Sequence, residues 1–349
     1  MSKINLMVIF GGKSGEHEVS LMSASSVLGV VDLKKYNVTN IGITKDGSWY
    51  RYDGPLEKII TGEWEELVTQ EDIFLCSQET MKDIDVVFPI LHGPYGEDGT
   101  IQGLLEMVNV AYVGGGVLTS AVAMDKIITK KLCAGQDILQ AEYIDILYKD
   151  YKRDGGKYIS LIEDNLYYPV FVKPANLGSS VGISKARNRE QLLEAIKLAF
   201  NYDRKIIVEE FISGREIECS VLGNEEAQAS LPAEIIPSQD FYDYEDKYLH
   251  GTSEFEIPAN LPHEITREIQ ELSLKIYKLL DCSGLARVDF FLEDKTKKLY
   301  FNEINTMPGF TKISMYPKMW EATGLEYEQL VDRLVELALE RFKERPQSI

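Results

Sequence analysis

The stretch LARVDFFLEDKTKKLYFNEINTMPG, residues 285–309, reads as two strands around a short polar turn. Pairing Glu293 with Leu299 sets Asp289 opposite Glu303 and Arg287 opposite Asn305. Period-two alternation then gathers Arg287, Asp289, Glu303 and Asn305 on one face, with Val288, Phe290, Leu292, Tyr300, Asn302 and Ile304 on the other. Two carboxylates directly across a ladder repel, and a cation between them removes that cost. Oxygen donors with no His or Cys nearby suit a hard ion, magnesium above zinc, and magnesium usually brings a polyphosphate. A solvated polar hairpin would account for the acids alone; Arg287 and the turn that follows Asn305 tip the balance toward a site.

Working outward, FVKPANLGSSVGISK (171–185) puts Lys173 at the end of an apolar strand, ahead of a Gly-Ser-Ser loop. Glycine lets backbone amides approach an anion closely, and Ser179 and Ser180 add donors. IIVEEFISGREIE (206–218) carries Glu209 and Glu216 around a connection between small sheets, where a carboxylate can meet a nucleotide base or ribose. PSQDFYDYEDKYLHGTS (237–253) alternates aromatic and charged residues without periodicity, the texture of a lid loop. The common nucleotide fingerprints are absent: Gly12-Lys13-Ser14 lacks the upstream glycine of a P-loop, and VGGGVLT lacks the dinucleotide spacing.

The N-terminal third has a different texture. INLMVIF (4–10) is a continuous apolar run that ends in Gly11-Gly12, the pattern of a buried parallel strand. A helical segment (18–30), strands at 38–44 and 85–91, a helix from Ile101 and a short strand at AYVGG complete a parallel α/β sheet. Ligands in such sheets bind beyond the carboxyl ends of strands, where Gly11–Ser20 and His92–Thr100 fall. From 121 the pattern becomes α+β: a lysine-bearing helix, a polar stretch near 149–157, short strands, a helix at about 262–280, the hairpin, and a helix at about 325–343.

A chain of 349 residues exceeds one comfortable core, so two or three domains are expected. The net charge of −19 argues against nucleic acid or a membrane surface as partner. The N-terminal apolar run is too short for a signal peptide, and no stretch reaches membrane-helix length. Cys76, Cys133, Cys219 and Cys282 form no CxxC pair and read as free thiols in a reducing compartment.

Taken in order, GGKSGEHEVS (11–20), LHGPYGEDGT (91–100), AMDK (123–126), VKPANLGSSVG (172–182), VEEFISGREIE (208–218), FYDYEDKY (241–248) and GLARVDFF through NEINTMPGFTKISMYP (284–317) resemble the D-alanine–D-alanine ligases of the ATP-grasp superfamily. The resemblance implies a Rossmann-like N-terminal substrate domain (1–122), a central ATP-grasp subdomain (123–213), and a C-terminal ATP-grasp subdomain with lid and metal site (214–349). It further implies ligation of two D-alanines through an acyl phosphate, for peptidoglycan precursors, in the cytoplasm and by a homodimer. The D-alanine–D-serine ligases of the same family are the first alternative, and another ATP-grasp carboxylate-amine ligase is the second.

By this resemblance Glu16 binds the first ammonium, with Val19 and His92 beside that substrate. Lys126, Lys173 and Lys247 serve the ATP phosphates and lid; Glu209, Glu210, Phe211 and Ile212 hold adenine, Glu216 the ribose, and Phe241 packs near the base. Tyr248 links to Ser179 and Glu16, with Ser180 adjacent. Asp289, Glu303 and Asn305 bind two Mg²⁺ ions, which Mn²⁺ can replace. Arg287, the Gly309 amide and Ser314 surround the second D-alanine and the oxyanion. Thr311-Lys312-Ile313-Ser314 departs from the family's usual Thr-Ser-His-Ser, and Met315 offers an apolar neighbour that fits D-alanine.

Overall fold

The computed structural model describes residues 3–68, 78–178, 181–236 and 254–345. The first sheet comprises β1 (Ile4–Gly11), β2 (Tyr36–Ile43), β3 (Trp49–Tyr52), β4 (Val86–Pro89) and β5 (Ala111–Tyr112), in the order β3-β2-β1-β4-β5. All neighbours are parallel except β3, which pairs antiparallel to β2 at the edge. Central β1 is buried on both faces, which explains its unbroken apolar run. Leu6, Val8 and Phe10 enter one core with Leu21, Ala24 and Val27 of the helix His17–Leu28. Met7 and Ile9 enter a second with Ile101 and Leu105 of the helix Thr100–Met107.

The second sheet is antiparallel, ordered β6-β9-β7-β8, from β6 (Tyr143–Leu147), β7 (Val170–Pro174), β8 (Ser184–Ala186) and β9 (Lys205–Glu210). Helices Tyr148–Asn165 and Arg189–Ala199 cover one face. The first of these occupies the stretch near 149–157 read only as polar. Two glycines and many charges hide its period, and Ile159 and Ile162 supply the buried side. The helix breaks at Asp154, whose carboxylate accepts from the Lys157 amide and restarts the next turn.

The third sheet runs β13-β12-β10-β14-β15, with β11 (Gln228–Ala229) also on β10. Its other strands are β10 (Gly214–Gly223), β12 (Ala233–Ile236), β13 (Glu254–Glu256), β14 (Gly284–Glu293) and β15 (Leu299–Asn305). The β14–β15 hairpin corrects one expectation. Near the turn the register is Leu292 opposite Leu299, one residue away from the assumed pairing of Glu293 with Leu299. A bulge between Asp289 and Phe290 then restores Asp289 opposite Glu303 and Arg287 opposite Asn305. Asn302 is the extra residue, so Leu299 and Phe301 join Val288, Phe290, Leu292 and Ile304 in the core, and Tyr300 and Asn302 do not. The polar row survives because a one-residue insertion cancels a one-residue slip.

The helix Tyr327–Lys343 returns to the first sheet, where Leu330, Leu334 and Leu337 share a core with Leu6 and Val8. Arg341 on it stacks over Tyr112 and donates to the Tyr112 carbonyl at 3.0 Å. Cys133, Cys219 and Cys282 are buried free thiols, while Cys76 lies outside the described residues. Among the described residues no helix is long and apolar enough to cross a membrane.

Candidate active site

A cavity of about 320 Å³ opens between the second and third sheets, lined by Lys173, Glu209–Ile212, Glu216, Asn302 and Glu303. Its floor is a buried charge triad. Glu209, at the end of β9, takes Lys173 from neighbouring β7 at 2.5 Å and Lys130 from the helix Lys126–Ala134 at 2.9 Å. Burial alone would raise the Glu209 carboxyl, yet the two ammonium groups hold it down at about 2. Burial would likewise lower Lys173, and Glu209, Glu303 and Glu216 raise it instead. Lys173 therefore remains cationic at the cleft wall. Phe211 is partly exposed, with the Lys185 ammonium 4.2 Å from its ring centre.

The hairpin forms the opposite wall. Arg287 donates to both oxygens of Asp289 at 2.8 and 2.7 Å and reaches Glu218 on β10 at 3.1 Å. Burial disfavours the guanidinium charge, but Asp289 and Glu218 outweigh it and raise its pKa. Glu218, Asp289 and Glu303 occupy one row across β10, β14 and β15, with Asn305 donating to Asp289 at 3.0 Å. Lys126 spans the gap to the central unit: its ammonium lies 3.3 Å from Glu303 and donates to the Leu177 carbonyl at 2.6 Å. Asp125 fixes this lysine by capping its helix, accepting from the Ile127 and Ile128 amides.

On the far side of that bridge lies the carboxyl end of the first sheet. Glu16, just before the helix His17–Leu28, is buried with its carboxylate against two glycines. A Cβ on Gly93 would sit 2.2 Å from Glu16 Oε2, and one on Gly178 would sit 3.3 Å away. The φ of +70° favours glycine at 93, and a Cβ there would push the Glu16 carboxylate aside. Glu97 accepts from the amides of Gly93 at 2.8 Å and Met307 at 3.3 Å. Desolvation, and secondarily the Glu16 charge, push its carboxyl well up. His92 is buried, 3.0 Å from the Ser23 hydroxyl and 3.0 Å from the Met307 carbonyl. Burial drives its pKa down to about 4, so the ring is neutral near pH 7.

Residues 132–336 match the model of the D-ala D-ala ligase C-terminus, and residues 5–115 match that of the D-ala D-ala ligase N-terminus. The chain belongs to the D-alanine–D-alanine ligase family. Curated members include the D-alanine–D-alanine ligase of Acetivibrio thermocellus, 50% identical over 98% of this chain and 97% of that one. That of Clostridium novyi is 51% identical over 97% and 99%. Among solved structures, the VanG D-Ala:D-Ser ligase from Enterococcus faecalis superposes with a TM-score of 0.88 at 39% identity, covering 97% of this chain and all of that one. The D-alanine–D-alanine ligase from Coxiella burnetii gives 0.83 at 36%, covering 99% and 96%. The mixed α/β architecture is therefore the ATP-grasp arrangement of this ligase family.

Within this ligase fold the sequence-derived residues fall into two connected groups. Lys126, Lys173, Glu209, Glu210, Phe211, Ile212, Glu216, Arg287, Asp289, Glu303 and Asn305 lie in or beside the cleft between the second and third sheets. Glu16, Val19 and His92 gather at the end of the first sheet, and Met307 joins His92 to the turn that holds Gly309. Ser314 accepts from the Thr311 amide at 3.1 Å and lies against Gly309. Met315 packs with Ala233, Ile235 and Met319 in a small core. Ser179, Ser180, Phe241, Lys247 and Tyr248 lie outside the described residues.

Three residues in contact with these groups were given no role in the sequence reading. Lys130 stands one turn from Lys126 on the same helix face, a spacing that could have found it. Glu97 sits inside the quoted block LHGPYGEDGT, and Glu218 follows Glu216 by two on one strand face.

Proposed function

We propose that the protein joins two D-alanine molecules into D-alanyl-D-alanine, the γ-phosphoryl group of ATP passing to the first carboxylate to give ADP and an acyl phosphate, from which phosphate later leaves. The observation that carries this is the bridge made by Lys126. It ties Glu303 of the oxygen-lined hairpin to the loop beside Gly178, which lies against Glu16. A nucleotide cleft and an ammonium-binding carboxylate thereby share one cationic side chain.

In this reading adenine lies against 209–212, with Glu216 toward the ribose and Phe241 near the base. Lys126 and Lys173 neutralise the phosphates, and Lys130 holds Glu209 so that Lys173 stays oriented. Glu16 takes the first ammonium, with Val19, His92 and Ser180 around that substrate, and Tyr248 and Ser179 close over it with Lys247 as part of the lid. Asp289, Glu303 and Asn305 offer oxygen donors without a nitrogen or sulfur ligand, a set that fits two Mg²⁺ ions or Mn²⁺. When bound, the metal would offset charge on the transferring phosphoryl group. The second amine attacks the acyl carbon, phosphate leaves, and Arg287 with the Gly309 amide receives the oxyanion, Ser314 and Met315 bordering that substrate.

The units 1–122, 123–213 and 214–349 are the proposed domains, and a cytoplasmic homodimer serving peptidoglycan precursor synthesis is the proposed context. The relatives near 50% identity favour D-alanine as second substrate, and the Enterococcus faecalis structure supports D-serine as the alternative. Purified protein is expected to release ADP and phosphate in step with D-alanine, with the dipeptide verified by mass. In competition among D-alanine, D-serine and D-lactate across pH, D-alanine should dominate. Equal or better use of D-serine would replace the first reading with the second, and nucleotide turnover without any dipeptide would end both.

A further inference from the structure

We propose that Ser23 is a positioning residue for the second half-reaction: its hydroxyl ties the Phe310 amide to the His92 ring and so fixes the turn that presents the Gly309 N–H. The inference rests on the reading above, in which that N–H meets the oxyanion. The Phe310 amide donates to Ser23 Oγ at 3.2 Å, and Oγ lies 3.0 Å from His92 Nε2. His92 Nδ1 lies 3.0 Å from the Met307 carbonyl. A carbonyl only accepts, so Nδ1 carries the ring proton and Nε2 is bare. The serine hydroxyl must then donate to Nε2, which leaves its oxygen to accept from Phe310. One assignment satisfies every group.

The chain of bonds grips the turn on both sides of Gly309, at Met307 and at Phe310. Glu97 adds a second hold on Met307 by accepting its amide at 3.3 Å. Ser23, His92 and the Phe310 ring are buried, so water cannot replace a lost partner without opening the core. The neutral ring that burial enforces keeps Nε2 an acceptor. Ser23 lies on the same helix as Val19 and follows Glu16 by seven residues, two helical turns along one face. The element that seats the first amino acid thus also sets the donor for the second step.

The test separates the two half-reactions. Positional isotope exchange in γ-labelled ATP with D-alanine reports acyl-phosphate formation, and mass-detected dipeptide reports the complete reaction. Ser23→Ala should keep exchange and the KM for ATP within about twofold of wild type. Dipeptide formation should fall about 10- to 100-fold, the scale of a misplacement near 1 Å. Equal losses in both reactions, or an unchanged dipeptide rate, would overturn the proposal. Ser23→Cys keeps the volume with a weaker donor, and should show the same split in smaller measure if the alanine variant does not fold.

The wild type supplies an independent readout, because four histidines keep ¹⁵N ring spectra simple. His92 should be neutral with its proton on Nδ1 at pH 7, and a proton on Nε2 would break the chain of bonds and the proposal with it. A wild type that makes no dipeptide would defeat the ligase reading itself, a result distinct from either failure of Ser23.

Discussion

Replacing Gly93 by alanine probes the Glu16 pocket with a single methyl group. The new Cβ would stand 2.2 Å from Glu16 Oε2 and 3.3 Å from its Cδ. Ordinary contact needs about 1 Å more, so the carboxylate must retreat by roughly that distance. A displacement of this size costs about 100-fold in rate, or about 2.7 kcal/mol of transition-state stabilisation. Holding alanine at a φ of +70° adds about 1–2 kcal/mol of strain to the folded state. The assay is steady-state dipeptide formation with D-alanine varied at saturating ATP, beside thermal melting followed by circular dichroism. The loss should appear in kcat/KM for the first D-alanine, with ATP affinity kept. Gly103→Ala is the control: its Cβ meets nothing within 4 Å and it lies inside a helix, so activity should hold and stability rise by about 0.5–1 kcal/mol. Activity of Gly93→Ala within threefold of wild type would refute Glu16 as the seat of the first ammonium.

Other consequences are equally direct. Glu209→Gln should cost about 3–5 kcal/mol by leaving buried lysine charge uncompensated, and calorimetry should find ATP binding weakened. The Glu209 carboxyl titrates at about 2 in the fold against 4.5 ordinarily, so its stabilisation is present above about pH 4.5 and lost as pH falls through about 2. Acid unfolding of the glutamine variant should lack that branch. His92 is depressed from 6.5 to about 4, so the unfolded chain binds the extra proton and the wild type loses up to about 3 kcal/mol as pH falls across that window. His92→Gln should unfold with a shallower pH dependence between those limits, as read by hydrogen exchange. Glu303→Gln should lower turnover by orders of magnitude and weaken Mn²⁺ binding seen by electron paramagnetic resonance; normal values for both would remove the metal assignment.

The fold class was legible in the sequence, and the hairpin's polar row with it, but the exact register and one helix were not. Period-two alternation found the hairpin's polar row, although the assumed turn was off by one residue and only the Asn302 bulge brought the pairs back. Alternation reports which residues share a face and says nothing of an inserted residue. The helix Tyr148–Asn165 was missed because KDYKRDGGK contains neither an apolar stripe nor a high propensity, and tertiary packing of Ile159 and Ile162 decides its state. Lys130 was given no role beside Lys126. Its near-complete burial follows from Glu209, which is 79 positions later in the chain and reaches it only through the fold. The His92 ring was read as a substrate neighbour, and its grip on Met307, 215 positions away, has no local signal.

The return of the helix Tyr327–Lys343 to the first sheet has a consequence for biosynthesis. The face of β1 that bears Leu6 and Val8 leaves the ribosome long before the leucines that finish covering it. At roughly 5–20 residues per second, the 223 positions between residues 120 and 343 take about 10–45 s to translate. Throughout that interval the nascent sheet offers a greasy flank to any chaperone or neighbouring chain, and its closure waits for the distant helix.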